Sequence, residues 1–443
     1  MFQTLKNAWK TQELKTKLLF TLLIVILYRL GSAIPVPWVS ADVMAGSLTT
    51  SFNYAVQLIA GDAFGKATLF ALSVSPYITS SIIIQLLTIA IPALERLAKD
   101  GEEGKKKINA ITRIVTMVLA FVTSVGYAGL IVSQGMTTLE LTGKSKLVWI
   151  NVFESGHGLE FVVMVACYCA GAALVMWLAE KINEFGIGNG ISIILFANIV
   201  ARLPATAVNL YNMIFNAIGD TANLIISIVW SLLIVVFMLA IVWVIVWFTE
   251  SERRIPVQYA KKVVGRKMYG GSSSNLPLKL NMSGVMPVIF ANSIVSIPGT
   301  LATIFPNTKW ITNLATNYFN YTKPLYVLIS VILLFAFAYF YILISFNPTE
   351  VANNIRNNGG AVPGIRPGTP TSDFISKILS RITLMGALFL SVIAILPIII
   401  GNVGQINISL GGTSLLIMVG VALDTVNNLE SQMMMRHYKG FLD

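Results

Sequence analysis

Ten stretches of this chain are long and apolar enough to cross a bilayer. They lie near residues 18–34, 72–92, 108–133, 158–180, 188–204, 223–249, 284–304, 324–346, 382–400 and 412–430. A helix of about 20 mostly apolar residues spans the hydrocarbon of a membrane. Backbone in lipid must satisfy its own hydrogen bonds, and a helix does so within one segment. The ten runs predict an all-α polytopic membrane protein. Composition agrees: 55% of residues are hydrophobic and 12% are charged, against roughly 25% charged in soluble domains.

The charged minority fixes the orientation. Net charge is +11, and such a basic balance suits anionic lipid headgroups or nucleic-acid-bearing partners. With the N-terminus inside, 24 of the 31 Lys and Arg residues fall on inner loops and inner helix ends. Six fall on the outer side or in residues 51–70, and Arg29 lies within the first span. That asymmetry predicts both termini in the cytoplasm. Lys6, Lys10, Lys15 and Lys17 before an apolar run, then Gly31-Ser32-Ala33, imitate a secretion signal. Arg29 inside the run and Pro35 just after it favour a first membrane helix instead.

Ten spans divide into five and five, residues 1–205 and 206–443. A unit that crosses five times places its second copy upside down, and inverted repeats put the functional path at their interface. A secondary transporter is one reading of such a repeat. Coupled transporters need intramembrane charges at the site, whereas the charges in these spans, Arg29 and Asp424 with Arg113, Glu160, Glu180, Arg202 and Glu430, all lie within six residues of a span end. An intramembrane enzyme is a weaker reading. His157 and His437 both lie outside the spans, and there is no HExxH or GxSxG. Cys167 and Cys169 stand two apart in an apolar run, a poor spacing for a disulfide or a metal. The glycine-rich GIGNG (186–190) opens a membrane helix with no soluble strand before it, and is read as a helix start. No catalytic residue, metal or cofactor is expected.

One span is unusual. Leu72–Pro92 carries Pro76 near its start, Ser75, Thr79, Ser80 and Ser81 along it, and Gln85 near its middle. The preceding segment, about 51–70, holds Gly61, Asp62, Gly65 and Lys66 and is too polar to cross lipid alone. The span is therefore expected to line a path, with the earlier segment folded into it. Two inner loops also stand out. In 250–283, Ile255, Val257 and Tyr259 alternate and Gly265 offers a turn, which predicts a basic hairpin. In 347–381, clustered Gly and Pro predict an ordered turn displaying Arg356 and Arg366.

These residues carry a resemblance. VSPYITSSIIIQLL (74–87), EFGIGNGISI (184–193), SERRIPVQYAKK (251–262), LPLKLNMSGVMPVIF (276–290), PGIRPGTPT (363–371) and GGTSLLI (411–417) together look like the SecY family, the pore subunits of the bacterial protein-translocation channel. The resemblance implies an hourglass pore with an apolar ring at its waist: Val74, Ile78, Ile191, Leu195, Ile289 and Ile417. It implies that 51–70 is a plug closing the outer funnel. It implies a lateral gate between spans 2 and 7, with Gln85 and Asn292 facing each other, through which apolar segments pass into lipid. Arg253, Arg254, Lys261, Lys262, Arg266 and Lys267, with Arg356 and Arg366, would meet the ribosome or the motor ATPase SecA. SecE-like and SecG-like small subunits, an unfolded secretory polypeptide with its signal sequence, and anionic lipids complete the implied partners, in a bacterial plasma membrane. One position departs from the family pattern. Ser73 stands where glycine is common, in what is expected to be the first turn of a helix, with Pro76 as the joint between plug and gate.

Overall fold

The structure is a computed structural model. It describes residues 9, 11–39, 62–133, 156–215, 221–259, 262–264, 267–269, 273–304, 308–319, 323–404 and 412–439. Helices dominate. In the N-terminal part they are α1 (Gln12–Gly31), a single turn α2 (Asp62–Gly65), α3 (Ser75–Ala90), α4 (Pro92–Lys99), α5 (Gly101–Ser133), α6 (Gly158–Phe185), α7 (Gly190–Val200) and α8 (Leu203–Phe215). Then come α9 (Thr221–Glu250), strands β1 (Glu252–Tyr259), β2 (Lys262–Val264), β3 (Lys267–Tyr269) and β4 (Ser273–Lys279), and α10 (Met286–Ile304). The chain continues through α11 (Lys309–Asn317), α12 (Pro324–Ser345), α13 (Pro348–Asn357), β5 (Gly360–Ala361), α14 (Thr369–Gly404) and α15 (Gly412–Lys439).

Each of the ten apolar runs coincides with a helix: α1, α3, α5, α6, α7, α9, α10, α12, α14 and α15. Seven described helices are long and apolar enough to cross a membrane on length and composition alone, and an eighth joins them if α3 and α4 count as one span bent by 101°. The other two are α1, which carries Lys15, Lys17 and Arg29, and α10, whose apolar stretch is the shorter Met286–Gly299.

Local chemistry sets the boundaries. Prolines occupy the first turns of α3, α4, α12 and α13, where the missing N–H costs nothing and φ is already helical. The Asn347 side chain caps α13 by accepting from the Thr349 and Glu350 amides, and Asn189 caps α7 by accepting from Ile191. Both satisfy donors that a helix start leaves open.

Several expectations need correction. The second span starts at Ser75 rather than Leu72, because the backbone at Ser73 is left-handed, with φ +48°. Stretches read as connections are partly helical, among them 93–99, 205–215, 309–317, 348–357 and 369–381. The hairpin expected in 250–283 forms within this mostly helical fold, and its pairing is wider than expected. β1 pairs antiparallel with β4, and β5 adds to the other edge of β1 through Gln258–Ala361 and Tyr259–Gly360.

The main core is one large apolar cluster to which α1, α3, α6, α7, α9, α10, α12, α14 and α15 all contribute. A second cluster gathers Val36, Phe64, Ala67, Ala71 and Leu72 against α5 and α6. Helix α10 packs on α3 and α5, while α15 packs on α7 and α9. These contacts join the early and late parts of the chain along two seams.

Candidate pore, gate and basic platform

The six ring residues come from four elements and enter one cluster. Val74 caps the start of α3 and Ile78 follows one turn later. Ile191 and Leu195 stand on the first turns of α7, four apart and so on one face. Ile289 lies on the first turn of α10, and Ile417 near the start of α15. Val74, Ile78, Leu195, Ile289 and Ile417 are buried in the main apolar cluster, and Ile191 packs against it half-buried. All six sit within the opening turns of their helices. Non-helical backbone, 66–74 and 186–189, leads into α3 and α7. Irregular backbone at membrane depth is tolerated where protein buries it or water lines it. That clustering at helix starts was not foreseen.

Before the ring lies the remainder of the expected plug. Gly61 and residues 51–60 lie outside the described residues. Asp62 opens α2, Gly65 ends it, and Lys66 follows with an exposed side chain. From Lys66 to Val74 the chain runs in turns, and it is fastened on several sides. Tyr127 on α5 donates its hydroxyl to the Phe64 carbonyl, and Tyr168 on α6 donates to the Ala67 carbonyl at 3.2 Å. The Leu69 amide donates to the Ile34 carbonyl at 2.9 Å, and Pro35 bridges to Thr68.

At the expected gate, α10 rests on α3 and α5. Gln85 is exposed and Asn292 is half-buried, and no hydrogen bond joins them. The polar stitching lies elsewhere. The Ser80 hydroxyl contacts Thr116 Oγ1 at 2.7 Å and donates to the Thr112 carbonyl at 2.9 Å, tying α3 to α5. At the opposite seam, Lys17 Nζ on α1 donates to Gln432 Oε1 on α15 at 3.2 Å.

The two basic loops form one body. On β1, Ile255 and Val257 point inward while Arg253, Arg254 and Gln258 are exposed. Ile255 packs with Leu278, Val362, Ile378 and Ile382, and Val257 with Ile355, Ile375 and Leu379. The sheet is thereby seated on the N-terminal part of α14. Arg356 and Arg366 are exposed on the same body, and the Arg366 carbonyl accepts from Thr371 Oγ1 at 2.8 Å. Arg254 is turned toward Glu252 at 2.7 Å, an exposed pair of small energetic weight. Lys262 and Lys267 lie on the β2–β3 hairpin, where side chains are not described; Lys261 and Arg266 fall outside the described residues. Among the described residues no group of His, Cys, Asp and Glu could hold a metal.

Comparison with known proteins matches this architecture. The SecY family profile covers residues 68–426. A protein translocase subunit SecY from Mycobacterium bovis is 40% identical over 465 residues, covering 100% of each chain. One from Thermus thermophilus is 41% identical over 447 residues, covering 100% of this chain and 98% of its own. Among solved structures, one described as a protein conducting channel aligns with a TM-score of 0.66 at 17% identity, covering 95% of this chain and 92% of its own. Sec61 in the canine ribosome–channel complex aligns with a TM-score of 0.61 at 16% identity, with the same coverage. Motifs, helices and sequence identity over its whole length agree that the chain belongs to the SecY family.

Proposed function

We propose that the chain is a protein-conducting channel. It translocates unfolded secretory polypeptides and releases transmembrane segments sideways through a gate between α3 and α10. The observation that carries this reading is the meeting of Val74, Ile78, Ile191, Leu195, Ile289 and Ile417 in one apolar cluster. A conduit for arbitrary sequences cannot offer fixed hydrogen-bond partners, since each would trap some chains. Aliphatic side chains adapt to the passing chain and, when it is absent, leave a dewetted constriction that blocks ions. A transporter of small solutes would need polar ligands at such a waist, and an aliphatic ring offers none.

In this reading, residues 1–205 and 206–443 are two inverted halves hinged where α1 and α7 meet α15, and they part where α10 meets α3 and α5. Residues near 51–70, with Gly61, Asp62, Gly65 and Lys66, are the plug, and Gln85 and Asn292 flank the gate seam. Both termini are cytoplasmic, in the plasma membrane. The sheet body with Arg253, Arg254, Arg356 and Arg366, extended by Lys261, Lys262, Arg266 and Lys267, receives the ribosome's phosphates and a SecA motor. SecE-like and SecG-like subunits and anionic lipids surround the channel.

Photo-crosslinkers at Ile78, Leu195 and Ile289 should capture a stalled secretory chain, and one at exposed Lys309 should not. Silence at all three ring positions overturns the pore. Arg366→Glu should slow motor-driven export at least about tenfold, as expected for loss of a charge-assisted contact, and spare ribosome-coupled insertion. Equal loss of both would remove the specific role of that arginine.

A further inference from the structure

We propose that Tyr28, Ser73 and Asn198 form a buried latch that holds the channel closed by fixing the root of the plug and the start of the gate helix α3. This rests on the channel reading above.

The three side chains close a ring. Tyr28 Oη donates to Asn198 Oδ1 at 2.9 Å, and Asn198 Nδ2 donates to Ser73 Oγ at 3.0 Å. Ser73 Oγ and Tyr28 Oη are 3.0 Å apart. The tyrosine proton is already committed to Asn198, so the serine donates to the tyrosine. Each group then gives one proton and receives one around the ring, an arrangement in which neighbouring bonds polarise each other. All three residues are almost fully buried, so water cannot replace a lost partner.

Neighbouring contacts tighten the ring. Arg29, next to Tyr28, donates to the Ala197 carbonyl, next to Asn198. Consecutive residues of α1 thus grip consecutive residues near the end of α7. The Phe70 ring stacks on Tyr28, with centroids 5.6 Å apart and planes 11° apart. It fills the place where a Cβ on Gly31 would stand, at 2.0 Å from the ring.

Ser73 is the element that can switch. Its φ of +48° is a conformation L side chains adopt rarely and at a cost. It precedes Val74 of the waist and lies two residues before α3 begins. Swinging α3 away from α10 requires rotation about this point, which lies outside the helix, whereas Pro76 already stands in its first turn. Opening therefore breaks the ring of hydrogen bonds and releases the backbone strain. The ring favours the closed state and the strain favours the open one, so the latch sets a threshold.

The test uses the assembled channel in planar bilayers, with resting ion conductance as readout. Tyr28→Phe and Ser73→Ala should each raise it about threefold to tenfold, the scale of one lost hydrogen bond. The double variant should match the single ones, because both open the same ring. Ser73→Gly should leak less than Ser73→Ala, since glycine takes the left-handed conformation without strain. Unchanged conductance in Tyr28→Phe, additive effects, or a glycine variant as leaky as the alanine one overturns the latch. Tyr28→Phe keeps its ring and decides alone if the Ser73 variants do not accumulate. Crosslinking of a stalled chain at Ile78 and Leu195 in the same preparations separates the two readings. Its absence sinks the channel, and its presence with unchanged conductance sinks only the latch.

Discussion

The proposed waist begins at Val74 and the root of the proposed plug ends at Ser73, yet the two are built on opposite rules. The waist offers aliphatic side chains from four helices, so any of them can slide past another at little cost. The root is held by directional bonds, with hydroxyls of Tyr28, Tyr127 and Tyr168 reaching it from three helices. An apolar contact has no preferred angle and yields gradually, whereas a buried hydrogen bond is either made or missing. The comparison separates the part of the channel that must tolerate every sequence from the part that must keep one conformation.

The largest expected departure comes from giving the waist the polarity of the root. Ile289→Lys places a charge in the constriction, which hydrates it, and resting conductance should rise more than about tenfold. A tight electrical seal in that variant would mean that the apolar ring is not the barrier. Next is steric disturbance of the root. A Cβ on Gly171 would stand 2.0 Å from the Leu69 carbonyl oxygen, and backbone cannot move aside as a side chain does. Gly171→Val should destabilise the protein by about 1–3 kcal/mol, read as a lower midpoint of thermal unfolding in detergent. The smallest effect is the loss of one bond. Tyr168→Phe removes the donor to Ala67 and should cost about 1 kcal/mol. Hydrogen exchange would show it as faster opening confined to residues 62–74, while exchange around Ile289 stays as before.

Much of this was legible in the chain. The apolar runs place ten of the fifteen described helices because lipid leaves a backbone few alternatives. Alternation at Ile255 and Val257 marks β1 correctly, since one face of that strand is buried. Ile375, Ile378, Leu379 and Ile382 also stand at helical spacing, a signal that hydropathy alone passes over because polar residues separate them. The strand β5 carries no comparable signal: two residues, Gly360 and Ala361, pair because β1 presents a free edge. The conformation of Ser73 was likewise hidden. Its partners lie 45 and 125 positions away, and a backbone angle set by distant side chains leaves no local pattern. For the same reason motif likeness selects the ring residues, while composition does not distinguish them from other buried aliphatics.

The length of α14 has a mechanical consequence. Its 36 residues extend about 54 Å at the usual rise, against a hydrocarbon core of about 30 Å. Roughly 20 Å of stiff rod thus projects beyond the lipid, bolted to the sheet through Ile375, Ile378, Leu379 and Ile382. Arg366 sits at the very tip of that rod, three residues before it starts. A load applied there is not absorbed by a slack loop. It arrives in the membrane as torque on the ninth span, with the sheet as the handle and the bilayer surface as the fulcrum.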